Sequence, residues 1–199
     1  MLKHLVFFLI CLTFLPFSPF LNAQEEFEIL IPDPERRSGL APENPEALSR
    51  QFRALSLGMS LDNLKSALTE DPLFRFRGDR DVSFLPIPEQ TLVETTGHSF
   101  IRRAHFQLAE GAVYIMSFSL DMSLIDHYSV FTTFVRRYGE PLSLSPREAV
   151  WETDEIRVSI ERPLTVKYID MLVFERLIEE SRANESQEML RREGFLADF

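Results

Sequence analysis

His98, His105 and His127 are the only imidazoles beyond residue 4, and Cys11 is the only thiol in the chain. A metal centre would have to be built from these histidines and from carboxylates. His98 and His105 are seven residues apart on an expected strand. Side chains alternate along a strand, so this spacing points the two rings to opposite faces. Neither an HExxH helix nor an EF-hand loop occurs. Asp121, Asp126 and His127 lie close in sequence, but Asp126-His127 reads as the first turn of a helix, where an acid complements the dipole. No metal ligand is assigned and no cofactor is expected.

A hydrolase could draw on His98, Ser99 and a carboxylate, yet the chain has no GxSxG elbow and no glycine-rich loop. Its 7 glycines are too scattered to cradle an oxyanion or a phosphate. Glu179 and Glu180 are adjacent acids on a charged helix, where solvation accounts for them. Arg77-Gly78-Asp79 spells an integrin-binding tripeptide, but Gly-Asp is also ordinary turn chemistry. Asn184-Glu185-Ser186 is a glycosylation sequon only on a eukaryotic secretory route. Trp151 and the many phenylalanines read as core. No catalytic, cofactor-binding or metal residue is named, and the chain is not read as an enzyme.

The start of the chain implies export. Met1-Leu2-Lys3-His4 is a short basic segment, residues 5–15 are apolar, and Leu21-Asn22-Ala23 follows Pro16 and Pro19. This is the pattern of a signal peptide over residues 1–23, cleaved near Ala23. The apolar run is too short for a bilayer span, which needs about 20 residues. Cys11 lies inside that run behind a bulky Ile10, so the mature chain is expected to be unlipidated and without a membrane span. Cleavage removes Lys3, the leader's only charged residue, and makes the net charge of −10 one unit more negative. It also removes the only cysteine, so disulfides, thiolate metal sites and a cysteine nucleophile are ruled out. The acidity argues against nucleic acid as a partner.

Residues 24–50 read as an acidic linker punctuated by Pro32, Pro34 and Pro42. Within it, residues 27–31 have strand-like composition. Pro45 is expected to start a short helix behind Asn44, with Leu48, Phe52 and Leu55 on one face. The folded core is expected over residues 51–173, in two units, 55–120 and 121–173. In the first, Ser60 caps a helix with a stripe of Leu61, Leu64, Ala67 and Leu68, stopped by Asp71-Pro72. Short strands at residues 73–77 and 82–85 flank Gly78-Asp79, and a loop holds Pro86 and Pro88. Longer strands at residues 99–108 and 112–120 alternate with period two, the first interrupted by Arg102, around a Glu110-Gly111 turn.

In the second unit Ser123 is expected to cap a helix lined by Leu124, Tyr128, Phe131, Val135 and Tyr138. Gly139 and Pro141 end it. Strands at residues 149–152, 156–161 and 164–169 follow, with turns at Thr153-Asp154 and Arg162-Pro163. The expected class is α+β, two helix-plus-three-strand antiparallel units with a charged C-terminal helix and tail over residues 174–199. Phe174, Leu177, Ile178, Met189 and Leu190 give that helix a narrow apolar edge. Both helices should cover the same apolar face of one antiparallel sheet, or of two abutting sheets, leaving the reverse face to solvent.

Leu57-Gly58-Met59-Ser60 followed by Asp62-Asn63-Leu64 resembles the opening of the small outer-membrane assembly lipoproteins of the SmpA/OmlA type. Tyr138-Gly139-Glu140-Pro141 leading to Trp151 looks like the helix end and first strand of a second such module. Tandem modules of this kind are similar to the β-lactamase-inhibitor-protein fold, and the chain also resembles uncharacterised exported proteins of spirochaetes. The resemblance spans residues 55–170. It departs in having no lipobox cysteine and no disulfides, and it implies protein binding without catalysis.

The expected function is therefore an exported, non-catalytic protein, periplasmic or secreted. It would bind another envelope or exported protein, as an accessory part of an envelope or appendage assembly. A small-molecule module with its pocket between sheet and helix, or a hydrolase, are the alternatives.

Overall fold

The computed structural model describes residues 45–85 and 89–197. The leader, the acidic stretch to residue 44 with its strand-like residues 27–31, and the loop prolines Pro86 and Pro88 lie outside the described residues. Among the described residues the fold is α+β: three α-helices, a two-stranded hairpin and an eight-stranded antiparallel sheet.

The chain enters as a hairpin, not as the expected helix behind Pro45. β1 (Gln51–Phe52) pairs with β2 (Leu55–Ser56), and Arg53 takes the turn at φ 57°. Leu48, Phe52 and Leu55 still face the core, so their burial was legible while their period misled. Helix α1 (Leu61–Glu70) follows as expected. Ser60 accepts the Asn63 amide, Leu64 and Leu68 are buried, and the chain leaves the helix at Asp71.

Residues 73–77 do not form the expected strand. They make a single bridge, Phe74 to Gly97, and Gly78–Asp81 is a 3-10 turn. β3 (Val82–Phe84) leads to β4 (Gln90–Thr96), a strand not expected from the sequence. β5 (Ile101–Ala109) and β6 (Ala112–Leu120) are joined by Glu110 and Gly111, both at positive φ as a two-residue hairpin turn requires. A register shift between Ile101 and Arg103 absorbs the polar interruption at Arg102, so Ile101 turns inward and Phe100 does not.

Helix α2 (His127–Tyr138) starts later than expected. Asp126, not Ser123, is its N-cap and accepts the Ser129 amide at 2.8 Å. Ser123 instead donates to Asp121. Gly139, at φ 81°, ends the helix. A short β7 (Ser143–Leu144) precedes β8 (Glu148–Glu152), β9 (Ile156–Glu161) and β10 (Thr165–Asp170). Helix α3 (Met171–Ala197) begins directly after β10, earlier and longer than expected. Asp170 accepts the Val173 amide and pairs with Arg50.

The strand order is β3-β4-β5-β6-β10-β9-β8-β7. α1 and α2 are thus each followed by four strands rather than three. The two four-strand runs meet where β6 pairs with β10, setting Phe118 beside Val166 and Met116 beside Tyr168. One face carries Val93, Phe106, Met116, Phe118, Val166, Tyr168, Ile160, Val158 and Trp151, all buried. Leu64 and Leu68 of α1, and Phe131, Val135 and Tyr138 of α2, join these residues in one core. Tyr128, expected there, is exposed.

The reverse face is not simply solvated. Tyr114, Val150, Ile169 and Met171 are buried outside the main core, and α3 lies against β9 and β10. Tyr114 donates to Gln107 at 2.9 Å.

Burial lifts the Tyr168 phenol well above its ordinary range, with Tyr138 adding to the effect. Burial likewise raises Tyr138 and Tyr114. Because the folded values exceed the unfolded value of about 10, this stability is fully present below that pH and is lost as pH rises beyond it. Urea midpoints are expected to fall steeply above about pH 10. Tyr168→Phe should flatten that fall, and an unchanged slope would contradict the assignment.

Candidate functional site

The residues with chemical potential are held in structural roles. His98 Nδ1 lies 2.9 Å from an Arg75 guanidinium nitrogen, which sets the ring against a cation rather than a carboxylate. Ser99 beside it takes φ 57° in the turn before β5. His105, inside β5, lies 3.7 Å from Glu94. Among the described residues no three His, Cys, Asp or Glu side chains converge on a point that could hold a metal.

Asp121 accepts the Ser123 amide and hydroxyl, and those bonds hold its carboxyl below the usual range. Asp126 is lowered by the same pattern from Ser129. His127 follows the cap, its imidazole held below its ordinary value by partial burial and then by the Arg162 charge. The Arg77-Gly78-Asp79 word is also engaged: Arg77 pairs with buried Asp81 at 2.6 Å, and Asp79 with Lys65 at 2.7 Å. Glu179, Glu180 and the sequon lie on the exposed stretch of α3.

A shallow polar depression of about 280 Å³ sits at the β3 edge, lined by Arg77, Arg80, Asp81, Ser83, Glu94 and Thr96. Three of its charges are neutralised, Arg77 and Asp81 by each other and Glu94 by Arg103 at 3.1 Å. It lies at the sheet edge, whereas the alternative small-molecule reading put a pocket between the sheet and a helix.

The unusual surfaces are apolar. Phe100, Met122, Leu124 and Tyr128 are 51%, 58%, 55% and 56% exposed. They come from the turn before β5, the segment after β6 and the first turn of α2. The Asp121 amide donates to the Phe100 carbonyl at 2.9 Å, which holds the first two together. The second surface is the distal part of α3. Every described side chain from Glu179 onward is exposed, including Met189, Leu190 and Leu196.

The apolar edge of the C-terminal helix was legible, but the first surface was not. Leu124 and Tyr128 fit a helical stripe, but with the cap at Asp126 Leu124 precedes the helix and Tyr128 faces out. The signal that could have shown this was the pair of capping residues, Ser123 and Asp126, which allow two different starts.

A family model described as the TP0088 domain matches residues 50–180. The chain belongs to the TP0088 domain family. The match fits the resemblance to spirochaetal proteins and does not bear on the SmpA/OmlA-like modules. No curated protein and no solved structure matches the chain. The TP0088 domain covers both hairpin and sheet and stops at residue 180, close to where α3 becomes fully exposed. No helix among the described residues is long and apolar enough to cross a membrane.

Proposed function

We propose that this TP0088 protein is exported after removal of a leader near Ala23 and works without catalysis, by binding another protein. In this reading it is an accessory part of an envelope or appendage assembly. The observation that carries the reading is α3. Its first turns lie on the sheet, while the stretch beyond the family domain presents Met189, Leu190 and Leu196 to solvent on a charged helix. A helix docks in a partner's groove through such apolar anchors. The strand order lends support to the tandem-module comparison, since α1 and α2 are each followed by an antiparallel meander and the last strands of the two meanders pair.

Replacing Met189 and Leu190 together with Asp tests the reading. Both side chains are exposed, so stability should change by no more than about 0.5 kcal/mol per site. The protein's native complex in envelope extracts should shrink to the size of the free chain. A stable double variant that keeps its complex would overturn the proposal.

A further inference from the structure

We infer that Asp170 is a latch through which the entry segment of the chain holds the root of α3, so that release of that segment frees the helix. Residues 45–52 are fastened to the core face of the sheet. The Glu46 amide donates to the Arg137 carbonyl near the end of α2 at 2.9 Å, and the Glu46 carboxylate takes the Arg137 guanidinium at 2.6 Å. Leu48 and Phe52 pack against the core, with the Phe52 ring 4.4 Å from that of Phe118. α3 belongs to another layer. It lies against β9 and β10, where Ile169 and Met171 are buried outside that core.

One carboxylate joins the two layers. Asp170 ends β10, and strand alternation puts its side chain on the side of the core residues Val166 and Tyr168. One oxygen accepts the Val173 amide at 3.2 Å, an amide with no acceptor inside its own helix. The other oxygen takes the Arg50 guanidinium. Arg50 is itself fixed at the neck of the entry hairpin, where its carbonyl accepts the Leu57 amide at 3.0 Å. Asp170 is 6% exposed, so its charge depends on Arg50 rather than on water.

Two other polar ties join the first two turns of α3 to the rest of the described chain. The Met171 amide donates to the Glu155 carbonyl at 2.9 Å, and Arg176 pairs with Glu110 on the exposed surface. An exposed pair contributes little. When Arg50 leaves, the buried carboxylate turns toward water and takes the Val173 cap with it. The latch therefore sets the direction in which Met189 and Leu190 are presented. That consequence rests on the reading of distal α3 proposed above, whereas the latch itself is a property of the free chain.

Amide hydrogen exchange in the full chain, without a partner, is the test. Arg50→Gln should speed exchange from Val173 to Ile178 about tenfold, the low end for losing a hydrogen bond to a charged group. Arg50→Lys, which keeps the charge, should recover most of the protection. Arg53→Gln breaks the other ion pair of the entry hairpin, with Asp71 at 2.6 Å, and should leave these amides unchanged. Asp170→Asn should match Arg50→Gln, and the two together should be no faster than either alone. The double variant leaves no orphaned charge, so it remains readable if Arg50→Gln fails to fold. Root amides that ignore the loss of the pair, that respond equally to Arg53→Gln, or that show the product of the two single effects in the double variant would overturn the latch. None of these outcomes depends on a partner, which the Met189 and Leu190 variants test separately.

Discussion

Trp151→Ala is expected to lower stability by about 3–5 kcal/mol, the range for losing a buried large aromatic. Trp151 is 3% exposed in β8 and packs against Phe131 and Phe134 of α2 at ring distances of 6.1 and 5.4 Å. Its indole nitrogen donates at 2.8 Å to the carbonyl of Gly139, the residue that ends α2. One side chain thus fills the space under α2 and satisfies a helix-end carbonyl. Trp151→Phe separates the two effects. It keeps most of the packing and leaves the carbonyl without its donor, at a cost of about 1–3 kcal/mol. Far-UV circular dichroism in urea is the measurement, because either change removes the only tryptophan. A cost below about 1 kcal/mol for the alanine variant would contradict the packing described.

Phe118→Ala should cost as much, again about 3–5 kcal/mol. Phe118 is 1% exposed in β6, beside the strand pair where the two four-strand runs meet. Its ring lies within 4.4 Å of Phe52, 5.8 Å of Phe106, 6.2 Å of Tyr168 and 6.3 Å of Phe74. These neighbours come from the entry hairpin, the bridge to Gly97, β5 and β10, so the cavity left by alanine cannot close by moving one element. Trp151 and Phe118 belong to one buried core. Both variants are therefore expected to shift a single transition seen by circular dichroism and by near-UV absorbance of the tyrosines. Separate transitions in either variant would show that the sheet divides into independent parts.

The legible parts of the fold were those where local chemistry and tertiary packing agree. α1 has an N-cap, an apolar stripe and a stop, and all three act as read. β9 alternates cleanly, β6 and β9 occupy the expected residues, and the Glu110-Gly111 turn takes the positive φ values its sequence suits, while a register shift opposite Gln107 puts Val113 rather than Tyr114 in the core. β4 escaped because its core-facing positions include Thr95, a buried hydroxyl, next to Val93, so the apolar alternation is broken. Its β-branched composition was the remaining signal. Residues 48–55 carry helix-spaced apolar side chains that the chain uses in a hairpin instead, turning through Arg53.

The exposed apolar surfaces were harder to read for a physical reason. Periodicity marks which residues share a face, but not whether anything covers that face. Phe100 has the even spacing of the apolar positions of β5, but the shift beside Arg102 turns it outward. Met189 and Leu190 were visible as an apolar edge, but only the position of α3 relative to β9 and β10 shows that the sheet stops covering it. Asp126 was read as an acid in the first turn of a helix capped by Ser123, and it is instead the cap itself.

Photocrosslinking in the native envelope tests the proposed binding role most directly. A photoreactive amino acid replaces Leu190 on distal α3 in one strain and Lys65 on α1 in another. The account predicts a discrete adduct to one protein from position 190, absent from position 65 and competed away by the unmodified chain. A position 190 that yields no adduct, or the same diffuse products as position 65, would contradict the reading of α3 as the element that binds a partner.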